Sequence, residues 1–414
     1  MLNLKKQTPK IINFLLILNS LILVIPNKLK AYPIVLLLVM CIIFSYINKD
    51  KTASFPYKKV LTISFLFIIY LLSLSYSQMY KDGFSRLSTM SSIVAFPLIF
   101  GILNKNNYCL SKKTINSIFV GFIISNFIFI CLSFIYFRPQ YLTTSDTIIH
   151  YSNLINIGLG AFSIHPIYMS IYISIAILML LHFLKENDRK TVKIFYIIQI
   201  VFLLVVLAIL MRKGPILYLI ITVTGLMLGY FRMKKTVIGI AFFLLITILT
   251  IQYLPKYKNI NRFQDLLNVT TSSDLSSSTV IRKNIYICSL SKIKEKPLFG
   301  YGVGNTQSQL DPCYIEKGID LSLKTYNCHN QFFSILLTSG IVGLLLYLFT
   351  VFKIFKIFYA HKNFLAISIL SLLLLNFLTE NVIERENGML IYSYFLSFFM
   401  FYPKTYQHSQ RVIK

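Results

Sequence analysis

Two arginines and one histidine carry the chemistry this chain can be expected to do. Arg212 sits in Met211-Arg-Lys-Gly-Pro215, Arg282 in a polar stretch after residue 270, and His329 in Cys328-His-Asn-Gln331. A guanidinium is permanently charged and grips phosphate oxygens through two parallel hydrogen bonds, which an ammonium cannot do. A neutral imidazole accepts a proton near pH 7. Together the three would hold a diphosphate whose charge grows as it leaves, and would deprotonate an attacking hydroxyl, without needing a metal. Taken singly, each also has an ordinary structural reading: an arginine snorkelling to an interface, or a hydrogen-bonded polar histidine.

Acidic residues are scarce. The chain holds 14 Asp and Glu against 41 Lys and Arg, and no apolar run has a carboxylate in its middle. An ion-coupled carrier ordinarily needs one there, so a flippase or solute carrier is disfavoured. Asp311, Glu316 and Asp320 are read as a solvated loop face, so no metal site and no cofactor are expected.

The elements that must position these side chains are membrane helices. Of the 414 residues 56% are hydrophobic and 13% charged, far from the balance of an ordinary soluble domain. Apolar runs of roughly 16 to 22 residues, enough to cross about 30 Å of hydrocarbon as helix, recur near 11–26, 32–47, 60–77, 88–103, 115–137, 163–184, 192–211, 214–231, 236–254, 330–352, 363–379 and 388–403. The expected fold is therefore all-α: one integral membrane domain, residues 1–414, with about twelve transmembrane helices. The first run has a charged start like a secretion signal but no small-residue cleavage site after it, and is read as a retained helix.

The formal charge of +27 resembles a nucleic-acid signal until its distribution is considered. Lysines and arginines crowd the connections on one side, at 5–10, 49–59, 105–113, 185–193, 232–235, 353–362 and 404–414, and are sparse on the other. By the positive-inside rule both termini are cytoplasmic, residues 255–329 form a large exterior loop between the ninth and tenth helices, and no nucleic acid is involved. A smaller exterior loop at about 138–162 is rich in Ser, Thr, Asn and Tyr.

Inside the large loop, several Ser and Thr residues at 270–278 are candidate N-caps for a helix from Thr279 to Lys294. On it Arg282, Tyr286, Ser289 and Ile293 make one stripe, and Ile281, Ile285 and Cys288 the next. Then comes Lys296-Pro-Leu-Phe-Gly300-Tyr-Gly302-Val-Gly304-Asn305, where glycines mark unusual backbone angles or close approach. Asn327 is the expected N-cap of the tenth crossing, which would put His329 in the first turn, where the helix dipole disfavours imidazolium. Tyr286, Tyr301, Tyr314 and Tyr326 are either sugar-stacking or interfacial aromatics. Of the six cysteines, Cys288, Cys313 and Cys328 share the exterior loop; a bridge between Cys313 and Cys328 would tether the approach to His329 and leave Cys288 over.

The order Arg212-Lys-Gly214, then an Arg282-led helix ending in Pro-Leu-x-Gly-x-Gly-x-Gly-Asn305, then His329-Asn330 with Leu336, Gly340 and Gly343 resembles the O-antigen ligase and polymerase superfamily from about Phe162 onward. Ile164-His-Pro-Ile-Tyr168 and the run Leu378 to Gly388 are similar to segments of its members. The resemblance implies a GT-C-like, metal-independent glycosyltransferase of the bacterial inner membrane. It would move a glycan from undecaprenyl diphosphate to a hydroxyl acceptor such as lipid A core, at a periplasmic site within the exterior loop. It maps the family's phosphate-binding arginines onto Arg212 and Arg282 and its essential histidine onto His329. It also makes Asn330, Gly300, Gly302, Gly304, Asn305, His165, Tyr168, Glu380 and Arg385 candidate substrate contacts. Glu380 and Arg385 have a second reading, as a pair bracing the outer face; Gly340 and Gly343 have one as close helix-packing positions. A polymerase of repeat units and an O-linked protein oligosaccharyltransferase share the same resemblance. The chain lacks Trp, which such loops often carry.

Overall fold

Apolar runs punctuated by Pro, Asn and Lys fold as helices along the chain, as seen in a computed structural model that describes residues 2–48, 53–140, 144–230, 278–321 and 326–402. In order these are α1 (Leu2–Ser20), α2 (Ala31–Ile47), α3 (Tyr57–Ser73), α4 (Tyr80–Thr89), α5 (Ser92–Lys105), α6 (Lys112–Phe137), α7 (Thr144–Ile157), α8 (Pro166–Glu186), α9 (Lys190–Leu210) and α10 (Lys213–Tyr230), followed by α11 (Ser278–Glu295), α12 (Thr306–Glu316), α13 (Gln331–Ala360), α14 (Phe364–Asn376) and α15 (Glu386–Phe401). No strand occurs among the described residues. Each expected crossing coincides with a helix except 236–254, which lies outside the described residues. The chain is a polytopic membrane protein: among the described residues seven helices are long and apolar enough to cross a bilayer, or eight if α4 and α5, bent by 41° at their junction, form one span. α1, α14 and α15, expected as crossings, do not meet that measure of length and hydropathy.

Hydrocarbon offers water-free surroundings, so helices associate by close packing and by hydroxyls returned to their own backbone. α8 and α15 are buried almost from end to end and form the centre. Phe122 of α6 stacks on Tyr172 of α8 and meets Phe395 of α15 edge-on. Ser170, Ser174 and Ser393 donate to carbonyls one turn back, which hides their polarity. α2 and α9 keep broad apolar faces exposed, as lipid-facing helices do.

One end of the bundle gathers the C-termini of α3, α6, α9 and α14 with the N-termini of α8, α10, α13 and α15; Tyr168 at the start of α8, for instance, donates to the carbonyl of Asn381 just before α15. The region expected as the smaller exterior loop is folded at this end as α7 and short 3-10 turns. The described lysine-rich connections, at 105–113, 185–193 and 353–362, are at the opposite end, where Lys112 pairs with Glu186 at 3.6 Å and Tyr402 donates to the carbonyl of Tyr108.

The glycine loop has a structural task that its sequence only hinted at. α13 breaks at Gly340, whose backbone (φ 64°, ψ −167°) is not helical. The break leaves carbonyls before it and amides after it without intrahelical partners. Loop backbone fills the gap: Tyr301 and Gly302 donate to the carbonyls of Leu337 and Thr338, and Ile341 and Val342 donate to those of Pro297 and Leu298. A Cβ on Gly340 would stand 2.1 Å from the Leu298 carbonyl oxygen, so this glycine packs against a loop and not against a helix. Gly343 does pack on a helix, facing Ile69 of α3. Beyond Gly302 the loop docks on the end of α3. Val303 and Gly304 donate to the hydroxyls of Ser73 and Ser77, while the Asn305 amide oxygen accepts from the backbone of Gln78 and Met79.

Candidate active site

Five consecutive residues, Phe377-Leu-Thr-Glu-Asn381, meet α8, α10, α11 and the segment that opens α13. The amide of Gln331 donates to the Phe377 carbonyl at 2.8 Å. The Leu378 carbonyl accepts from the Asn330 side chain at 3.1 Å and from the Tyr286 hydroxyl at 3.3 Å. Thr379 meets α10, through the Tyr218 hydroxyl and the face of Gly214. Glu380 faces His329, and Asn381 receives Tyr168.

His329 is held from several sides. Its backbone is left-handed (φ 45°), its amide donates to the Asn327 side chain, and its carbonyl accepts the Tyr286 hydroxyl at 3.1 Å. The helix behind it begins at Gln331 and is capped by Asn330, whose oxygen accepts from the amides of Phe332 and Phe333. Asn330 is therefore the N-cap in place of Asn327, and His329 stands before the helix instead of in its first turn. The reason is local: Asn327 bonds two residues ahead to shape the left-handed corner, which leaves the cap to the next asparagine.

The imidazole Nδ1 lies 3.4 Å from Oε2 of Glu380, with side chains 19% and 6% exposed respectively. The ring is open to a substrate and the carboxylate is not. Burial raises the Glu380 pKa, but the hydrogen bond and charge of His329, with His165 and Arg282 behind them, hold it below the ordinary value. A buried carboxylate facing Nδ1 selects the tautomer with the proton there and leaves Nε2 as the acceptor. Glu380 thus pairs with His329 and not with Arg385, which lies exposed at the start of α15.

Arg282 and Tyr286 are one turn apart on α11, so fastening the Tyr286 hydroxyl to His329 also brings Arg282 to the pocket, where its field is felt at Glu380 and Tyr286. Burial pushes the Tyr286 hydroxyl up, keeping it a donor. α11 is held down by Ile285, Cys288 and Ser289, all fully buried, and by a disulfide from Cys288 to Cys313 of α12. The expected Cys313–Cys328 bridge does not form. α12 presents Cys313 to the buried stripe of α11, and Cys328 turns the other way, its thiol donating to the Asn330 carbonyl and accepting from Asn381. Burial pushes that thiol up to about 12, so it stays protonated.

Arg212 follows a left-handed cap at Met211 and donates from Nη2 to the Ser152 hydroxyl of α7 at 3.0 Å. Two residues on, Gly214 faces Thr379, so Arg212 lies at the same end of the bundle, with its guanidinium turned to α7. His165 caps α8 through Nδ1 and sits 6.2 Å, ring to ring, from Tyr168. By contrast Gly300, Gly302, Gly304 and Asn305 direct their hydrogen bonds into α3 and α13. Of the tyrosines, Tyr314 is buried, Tyr301 donates to the Lys292 carbonyl, and Tyr326 remains beside His329 at 6.4 Å between centroids.

Residues 198–348 match the O-antigen ligase family model. Over that stretch the chain is similar to the O-antigen ligase family, which supports the resemblance read from its motifs. The matched stretch takes in Arg212, Arg282 and His329 and ends before Glu380. A search of curated proteins found no match.

Two parts of this candidate site escaped sequence reasoning. Glu384 binds Ser334, Gln331 and Asn381 and lies 3.9 Å from Arg86 of α4, so it ties α13 and α4 to the turn that carries Glu380. Its scarcity as an acid was the available signal, but nothing local separated it from Glu380 and Glu386. Ser152, the partner of Arg212, lay in a segment read as loop.

Proposed function

We propose that the chain is an O-antigen ligase-like glycosyltransferase, moving a glycan from a polyprenyl diphosphate to an acceptor hydroxyl at the extracytoplasmic end of the bundle. The observation that carries the proposal is the His329–Glu380 pair, fastened beneath the helix that bears Arg282. The acceptor hydroxyl gives its proton to Nε2 of His329 as its oxygen forms a bond to the anomeric carbon. The bond from that carbon to the diphosphate oxygen breaks, and its electron pair leaves with the diphosphate. Arg282 and Arg212 receive the growing charge, and Glu380 stabilises the imidazolium. General-base help of this kind is worth about 10²- to 10⁴-fold, and fixed cations at a departing anion contribute at least as much. No resident cofactor enters the scheme. The long donor and a lipid-borne acceptor such as lipid A core both reach the bundle from the bilayer, which suits an enzyme of sugars built almost wholly of apolar helices.

The test is His329→Ala in cells and in the purified protein. The reading expects unchanged protein level, no transfer, and long lipid-linked chains left unattached on gels. A fully active variant overturns it. Single repeat units attached to core would identify the polymerase reaction, and altered glycoprotein mobility would identify protein as the acceptor.

A further inference from the structure

The glycine loop, Pro297 to Gly304, belongs by sequence to the exterior, yet it is bonded to two helices at a depth those helices measure. On α3, Val303 and Gly304 donate to Ser73 and Ser77; on α13, Tyr301 and Gly302 donate to carbonyls just before the break at Gly340. At the rise of an α-helix, Ser73 stands about 20 Å along α3 from Lys59, and Gly340 stands about 20 Å along α13 from Lys353, the first cation of that helix. Hydrocarbon is about 30 Å thick. Even measured from Ala360, the last residue of α13, the break is only about 30 Å away, and tilt shortens that height further. Two helices running in opposite directions thus put the loop at or below the hydrocarbon boundary on the side away from the lysines.

Loop backbone is tolerated at that depth only where protein satisfies its polar groups. Here it does: every amide from Gly300 to Gly304 donates, and the carbonyls of Pro297, Leu298 and Phe299 accept, the last from the Tyr76 hydroxyl at 2.7 Å. The side chains at the tip are not enclosed, Leu298 being 59% and Phe299 61% exposed. Their backbone bonds set them beside Val342 and Tyr76, and one turn deeper on each helix Leu345 and Leu72 are exposed as well. The tip therefore continues the apolar faces that α3 and α13 turn to lipid. Lys294 and Lys296 precede it, with stems long enough to reach head groups. We infer that Leu298 and Phe299 form a wedge seated among the acyl chains of the leaflet farther from the lysine-rich ends, so that the chain leaves α11 into the bilayer and not over it. Continuity with lipid-facing helix surface makes hydrocarbon the occupant, in place of a second copy or another protein.

The experiment exploits the absence of Trp from the chain: Phe299→Trp gives the full-length protein a lone fluorophore. The variant is placed in nanodiscs of phosphatidylcholine, with or without lipid brominated high on the acyl chain. Its emission is expected to be blue-shifted, to be mostly lost in the brominated lipid, and to resist iodide in the water. Leu345→Trp, on the exposed face of α13, should behave alike, and Glu316→Trp, on the exposed face of α12, should show the reverse. Leu298→Trp repeats the measurement one residue away, so a folding defect in either variant does not decide the result. Quenching by iodide and not by brominated lipid would place the tip in water and overturn the inference. Shielding from both quenchers would mean that protein covers the tip, which overturns it as well. No turnover is needed, so the outcome is independent of the transfer reaction proposed above.

Discussion

At the scale of single residues, the site rests on an imidazole held by a buried carboxylate. Glu380→Gln keeps the shape and removes the charge, so kcat is expected to fall by about 10²- to 10⁴-fold with KM little changed, measured as single-turnover transfer. The same carboxylate links stability to pH. Its folded pKa lies below the ordinary value of 4.5, so its stabilisation is complete above that value and is lost as pH falls through the lowered one. The melting temperature of the wild type should therefore drop toward that of Glu380→Gln as the pH is taken below 4.5, and a gap that widens on acidification would contradict the assignment. For the arginines, replacement by alanine should cost about 10²- to 10³-fold in kcat/KM and lysine should rescue only part, because a point charge lacks the fork. Arg212, Arg282 and His329 stood out as candidates in the sequence because guanidinium and imidazole are informative in an apolar chain. Glu380 was legible only as a candidate. Its partner depends on a turn between α14 and α15, and no spacing in the sequence told whether it would meet Arg385 or His329.

At the scale of elements, α11 is the most easily tested. Its buried stripe and the Cys288–Cys313 disulfide fix where Arg282 and Tyr286 stand. Cys288→Ser should lower stability by about 2–4 kcal/mol and reduce activity more than Cys328→Ser, as read by thermal unfolding and donor turnover on the same preparations. The glycine loop makes a different prediction. Gly304→Ala places a Cβ 2.0 Å from the Met79 carbonyl and should cost about 1–3 kcal/mol. The loss should appear as reduced folded yield, with little change in KM for the molecules that do fold. Helix positions were readable from hydrophobic runs, since period and length are local properties. The break in α13 was not, because it exists only through backbone bonds to a loop far upstream; nothing in Ser339-Gly-Ile341 by itself forbids a straight helix. The cysteine pairing failed for a related reason. Three thiols in one loop have no local cue to the pair, and burial of the α11 stripe decided it.

At the scale of the molecule, the arrangement of charge predicts the arrangement in the membrane. The described connections rich in Lys and Arg share the end opposite to His329, so cysteines introduced singly near residues 110 and 188 should react with an impermeant maleimide only after the membrane is opened. One near residue 316 should react in intact spheroplasts; the reverse pattern would put the proposed reaction on the wrong face. The turn from Phe377 to Asn381 has a consequence for how such an enzyme comes into being. It is translated near the end of the chain, after every arginine and the histidine it brings into register. A nascent protein released from the ribosome before this stretch has its cations in place but no carboxylate to set the imidazole, and no common anchor for α8, α10 and α11. The His329–Glu380 pair therefore forms only once the segment after α14 has been made, so a chain halted before it is expected to lack the proposed transfer.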